Sequence, residues 1–263
     1  MTDRLIKKYQ FSTRKREKLT AMKNKAAIFL SLTIVLSMAN FWIPKTVHGA
    51  QATLTTSTVA NAHSLTGIKK LKNDNIKAVI LGDSIAVSQG ASNPSTTGWV
   101  SELMTSLTKI YSHNILWNNK ASSGTLVDYC LQRAEEIDET TDVVFICVGR
   151  NDRNYYTSDQ FCLKYTQLVQ LIKRKAPNAD IFCIVEPPMV SSDESLFKGI
   201  RSALTIVSIN NKVTLLDVWS AFPTDQSALA DILTDGLHPN DAGYNLMSSY
   251  IRSQLVNMIN SAN

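Results

Sequence analysis

At 263 residues the chain is long enough for one sizeable domain with extra segments, and only 10 Gly and 7 Pro exclude a collagen-like or broadly low-complexity chain. The net charge of +5 belongs to the N-terminus: residues 1–50 carry ten Lys/Arg against Asp3 and Glu17, leaving 17 basic and 20 acidic side chains from residue 51 onward. That remainder, at −3, lacks the basic field that nucleic-acid binding requires.

Ala26 to Ile43 is an apolar run broken by little except Ser31, Thr33, Ser37 and Asn40. A basic stretch precedes it, and Pro44 and the small pair Gly49-Ala50 follow. This is the order of a secretory signal, with a cut expected near Gly49 or Ala50. Eighteen residues can also just span a bilayer, so an uncleaved signal anchor is the competing reading. Both place the rest of the chain outside the cytoplasm. Met22, followed by Lys23-Asn24-Lys25, makes a better start than Met1. The expected organisation is a signal peptide or anchor over 1–50, a polar linker over 51–73 and a catalytic domain over 74–263.

From residue 76 the chain alternates short β-rich runs with longer helical patterns. Ile76–Leu81 is an apolar run stopped by Gly82. Trp99, Leu103, Leu107 and Ile110 recur at helical spacing, and Ile115–Trp117 is a short strand. A helix over Leu126 to Ile137 leads to Val143–Val148, a continuous apolar run expected of a strand covered on both faces. Phe161, Tyr165, Leu168 and Ile172 mark a helix that ends before Pro177. Ile181–Val185 is a strand closed by Pro187-Pro188, Leu196 to Val207 is helical, and Val213–Leu216 is the last strand. Asn240 or Asp241 caps a final helix with an apolar stripe of Leu246, Met247, Tyr250, Ile251, Leu255 and Met258. Five strands separated by helices argue for a parallel α/β sheet with helices on both faces. Cys130, Cys147, Cys162 and Cys183 show no paired C-x-x-C, so no metal site is expected; they read as apolar thiols with room for one disulfide.

Ligands of such sheets bind beyond the carboxyl ends of the strands, so the residues there carry the chemistry. Gly82-Asp83-Ser84-Ile85 follows the first strand and can present a hydroxyl on a tight turn. Gly124, after the second, can offer an unobstructed N–H. Gly149-Arg150-Asn151-Asp152 follows the third, and the Asn151 amide can donate to a developing oxyanion. Taken singly, each is what an ordinary loop looks like. Asp235-Gly236-Leu237-His238-Pro239 places a carboxylate three residues before an imidazole. His48 and His63 fall in the leader and linker, and His113 lies before the second strand, which leaves His238 as the best-placed base. Asp217, at the end of the last strand, rivals Asp235 as its acid partner.

In this order the blocks Gly82-Asp83-Ser84-Ile85, Gly124, Gly149-x-Asn151-Asp152 and Asp235-x-x-His238 resemble the SGNH hydrolases, the GDSL-type esterases and lipases. The match spans about residues 76–259. It implies a flavodoxin-like three-layer α/β/α sandwich with Ser84 as nucleophile, His238 as base and Asp235 orienting it. It also implies an oxyanion hole made by the N–H groups of Ser84 and Gly124 and the side chain of Asn151. Ala121 stands where many relatives have another Gly. Arg150 is bulky within the third block and is expected either to line the pocket or to face solvent.

The function expected is an extracytoplasmic serine esterase that removes O-acetyl or other short acyl groups from glycans. Alternatives are a lipid acyl hydrolase, a glycan O-acetyltransferase and a catalytically silent glycan-binding module. No cofactor enters this chemistry.

Overall fold

The computed structural model describes residues 64–261; the leader, Met22 and most of the 51–73 segment lie outside them. Five parallel strands form one sheet: β1 (Ile76–Gly82), β2 (Ile115–Asn119), β3 (Val143–Cys147), β4 (Asp180–Val185) and β5 (Thr214–Asp217), in the order β2-β1-β3-β4-β5. The sequence expectation of a five-stranded, doubly covered parallel sheet holds, with strand ends moved by a residue or two.

Side chains of a strand alternate between the faces, and here both faces are dry. Ala78, Ile80, Val143, Phe145, Phe182 and Ile184 point into one core, covered by α1 (Trp99–Tyr111) and the last helix. Val79, Leu81, Val144, Ile146, Ile181 and Cys183 point into the other, under α2 (Val127–Ala134), α3 (Ser158–Lys175) and α4 (Glu194–Asn211). The last helix, α5 (Asp241–Asn260), buries Tyr244, Met247, Ile251, Leu255 and Ile259, with Leu246, Tyr250 and Met258 on its flanks. In α1, Trp99, Leu103 and Leu107 are buried but Ile110 is half exposed, so the apolar face ends one turn earlier than its spacing suggests. A capping box starts α3: the Thr157 hydroxyl accepts from Gln160 N–H and the Gln160 side chain accepts from Thr157 N–H. No described helix is long and apolar enough to cross a membrane.

The four cysteines are free thiols; Cys130, Cys147 and Cys183 are buried and Cys162 is partly so.

The folded unit starts earlier than residue 74. Ile68–Lys72 forms a 3-10 turn whose Ile68 and Leu71 are fully buried against the α1/α5 core. The Thr66 and Ile68 N–H groups donate to the buried Asp180 carboxylate at 3.2 and 2.8 Å. Residues 68–73 are therefore part of the domain, not of a linker. Two buried aliphatic side chains stabilise by about 3–6 kcal/mol together. Urea unfolding of chains beginning at residue 64 and at residue 74 should differ by that order, with the shorter chain less stable.

Candidate active site

Strand β1 pairs with β2 on one side and β3 on the other, so consecutive connections leave it in opposite directions. The crevice at such a switch point, at the carboxyl ends of the strands, is where open α/β sheets bind ligands. All the chemically promising loops converge there.

Gly82 ends β1 opposite Cys147 of β3; a Cβ there would lie 2.2 Å from the Cys147 carbonyl oxygen and 2.4 Å from Ala86 Cβ. Only glycine permits so sharp a turn against the neighbouring strand. The turn is then tied down from within. Asp83 N–H donates to Cys147 O at 3.2 Å, Asp83 Oδ1 accepts from Ile85 N–H at 3.0 Å, and Gln89 N–H closes on Ser84 O at 2.9 Å. Ser84 is thereby held nearly buried, 7% exposed.

His238 reaches it from the loop before α5. Its Nε2 lies 3.0 Å from Ser84 Oγ, and its Nδ1 lies 2.8 Å from Asp235 Oδ2. The other oxygen, Asp235 Oδ1, accepts from the N–H groups of Leu237 and His238 at 3.0 and 2.8 Å. Partial burial pushes the Asp235 carboxyl up, but the bonds from His238 and Leu237 outweigh it and hold the group below the usual carboxylate range. Asp235 is thus the residue at His238, while the rival Asp217 faces Arg201 at 3.6 Å. With a proton on Nδ1 toward Asp235, Nε2 is left as the acceptor for the Ser84 hydroxyl. The loop is braced by Thr234 N–H donating to His238 O at 2.8 Å and Val190 N–H to Gly236 O at 2.8 Å. Gly90 packs so closely on it that a Cβ would lie 2.9 Å from His238 Cβ.

Gly124, with φ of +75°, lies in the loop after β2, where Ser122 N–H donates to Gly82 O at 3.1 Å. A Cβ at Gly124 would meet nothing within 4 Å, so this edge of the crevice is open. Asn151 links the other loops: its Nδ2 donates to Asp83 Oδ2 at 3.2 Å and to Thr125 O at 3.1 Å.

Arg150 neither lines the crevice nor faces solvent. Its guanidinium is buried 3.7 Å over the Phe197 ring, paired with Glu194 at 2.5 Å and donating to Pro187 O. Gly149 turns the chain inward at φ of +145°, which sends Arg150 down between α4 and the end of β4 rather than out.

Three buried carboxyl groups beneath the crevice escape sequence reasoning in part or whole: Asp83, Asp152 and Glu186, each 0% exposed. Asp152 Oδ1 accepts from Val127 N–H at 3.0 Å, capping α2 from a distant loop, and its Oδ2 has no partner. Burial pushes the Asp152 carboxyl up to about 7, with the Glu186 charge adding to the effect. A carboxyl that binds its proton more tightly when folded loses stability as pH rises from its unfolded value near 4 to its folded value. Thermal unfolding of the wild-type chain should therefore weaken between about pH 4 and pH 8 by on the order of a few kcal/mol from this group. Asp152→Asn, which keeps the bond to Val127, should flatten that slope; an unaltered slope would exclude Asp152 as its source.

The comparisons with known proteins agree with this architecture. Among solved structures, a member of the lipolytic protein G-D-S-L family from Veillonella parvula DSM 2008 superposes with a TM-score of 0.55 at 19% identity, covering 68% of this chain and 97% of that one. A GDSL-like lipase from Parabacteroides merdae ATCC 43184 gives 0.58 at 21%, covering 70% and 97%. A two-domain esterase active on acetylated mannans gives 0.64 at 19%, covering 77% of this chain and 56% of that chain. At such identities the likeness is one of fold. Comparison with curated proteins gives no match. Residues 80–246, from the end of β1 into α5, match the model of the GDSL-like Lipase/Acylhydrolase family, and the chain belongs to that family of ester-cleaving serine hydrolases.

Proposed function

We propose that the protein is an extracytoplasmic esterase that removes O-acetyl or other short acyl groups from glycans, with Ser84 as nucleophile, His238 as general base and Asp235 as its orienting partner. The observation that carries the reading is the unbroken hydrogen-bonded chain from Ser84 Oγ through both ring nitrogens of His238 to Asp235, at 3.0 and 2.8 Å. Ser84 Oγ attacks the ester carbonyl carbon while His238 Nε2 takes the hydroxyl proton. The tetrahedral oxyanion is held by the N–H groups of Ser84 and Gly124 and by Asn151 Nδ2. As the intermediate collapses, the imidazolium passes its proton to the leaving alcohol. Water then attacks the acyl-enzyme, giving its proton to Nε2, and the proton returns to Ser84 as the acid leaves. The Asn151 bonds to Asp83 and Thr125 are long, at 3.2 and 3.1 Å. A full negative charge in a low-dielectric crevice draws the amide more strongly than the neutral Thr125 carbonyl does.

The surroundings of the His238 loop support the choice of substrate class. A cleft of about 380 Å³ beside the His238 loop is lined by Gly90, Ser92, Asn240, Asp241 and Ala242. None of these residues carries a long apolar side chain, which supports a polar alcohol near the His238 loop. The solved neighbour active on acetylated mannans has the same fold. The basic segment followed by the apolar Ala26–Ile43 run supports export, as a cleaved signal or a signal anchor.

Purified residues 51–263 are expected to hydrolyse p-nitrophenyl acetate faster than the octanoate, and Ser84→Ala to abolish both. Preference for octanoate would move the substrate to lipids, whereas acyl transfer to glycan hydroxyls without net hydrolysis would make the enzyme a transferase. Asn151→Ala should lower kcat by roughly 10²–10³ with KM little altered; an unchanged kcat would remove Asn151 from the oxyanion site.

A further inference from the structure

Beneath Ser84 lies a second pair of side chains that the acyl-transfer steps do not use. Asp83 follows β1 and Glu186 follows β4, so the two carboxyl groups approach across the end of β3, and both are fully buried. They face each other within hydrogen-bond reach. Their other partners account for all but one oxygen. Asp83 Oδ1 accepts from Ile85 N–H at 3.0 Å and Oδ2 from Asn151 Nδ2 at 3.2 Å. Glu186 Oε2 accepts from Arg150 N–H at 2.6 Å, while Glu186 Oε1 has no donor. Two ionised carboxylates at such a separation repel in a medium that cannot screen them, and a buried acceptor without a donor carries its full desolvation cost. One proton between the two groups removes both penalties.

We propose that Asp83 and Glu186 share a single proton and that this pair positions Asn151 and the Ser84 turn, making Glu186 a positioning residue for ester hydrolysis. This rests on the assignment of Ser84 and Asn151 above. Burial, followed by the facing Glu186 charge, holds the Asp83 carboxyl well above its ordinary value; burial likewise raises Glu186, with Arg150 and Arg153 opposing it. Asp152 is the third acid facing the pair, and the Cys130, Cys147 and Tyr244 groups nearby are themselves pushed up and stay neutral. Loss of the shared proton leaves two like charges in contact. Asp83 must then separate from Glu186, and the amide of Asn151, which Asp83 holds, moves with it. The proton is lost as the pH rises, so the expected effect is a fall in kcat toward high pH.

The test is the pH dependence of kcat and KM on p-nitrophenyl acetate for wild type, Glu186→Leu and Glu186→Gln, with circular dichroism at each pH. It is paired with the infrared C=O stretch of protonated carboxyl groups in the Asp152→Asn background. Wild-type kcat should fall at alkaline pH with KM held and the fold intact. Glu186→Leu, which leaves Asp83 without its partner, should lose about tenfold or more in kcat at neutral pH. Glu186→Gln puts a permanent N–H where the shared proton lies; it should recover most of that loss and remove the alkaline fall. A protonated carboxyl band at neutral pH should persist in Asp152→Asn and vanish when Glu186→Gln is added. An alkaline fall in Glu186→Gln equal to that of wild type, or the absence of the band, would overturn the proposal. The band requires no turnover: its presence beside a Ser84→Ala variant that still hydrolyses ester would support the pair and refute the nucleophile instead.

Discussion

The pairing of β1 with β3, with Gly82 set against Cys147, is the constraint on which the rest of the site depends. The missing Cβ of Gly82 lets the chain turn within contact distance of its neighbour. That turn brings Asp83 and Ser84 out at the carboxyl edge of the sheet, beside the loop that carries Asn151. Parallel strands with dry faces leave little freedom in this register, because a one-residue slip exchanges the two cores. The geometry around Ser84 therefore depends on the packing of Phe145 on Phe182 and of Val144 and Ile146 under the α3–α4 layer as well as on the bonds within the loop.

His238 is placed by different means. Its loop belongs to no strand of the sheet. Asp235 holds it by three hydrogen bonds over three residues, and Gly90 and Val190 pin its two sides. Ser84 is positioned by tertiary packing and the imidazole of His238 by a local chelate. The 3.0 Å contact between Ser84 and His238 joins the two, and the Gln89-Gly90 segment that leaves the Ser84 turn also packs on the His238 loop.

Much of this was legible before any coordinates. Continuous β-rich runs between amphipathic helices argue for parallel pairing, and the residues after each run point to the crevice. What was not legible shares one cause. Burial of a charged residue is decided by segments far away in the chain, and the local pattern carries no trace of it. Arg150 reads as a surface or pocket residue until Phe197 and Glu194 are brought over it from α4. Glu186 directly follows the Ile181–Val185 run and carries no local signal of its role, yet it faces Asp83 from two strands away. Residues 68–73 look like the end of a polar linker because only Ile68 and Leu71 are apolar, and the core that receives them is built partly by the last helix.

The presence of three buried carboxyl groups close to Ser84 has a physical reason. Replacing a buried polar network by apolar side chains of similar volume is often neutral or stabilising, so stability alone does not explain Asp83, Asp152 and Glu186. Apolar residues, however, could not hold the ends of β1, β3, β4 and the start of α2 together through directional bonds. Asp83 joins Ile85 to Asn151, Glu186 receives Arg150, and Asp152 caps Val127. Each bond fixes a backbone segment or side chain that borders the crevice. The buried acids draw the N–H groups of Ile85, Arg150 and Val127 and the side-chain amide of Asn151 toward them, so the segments that carry these groups are held before any substrate arrives.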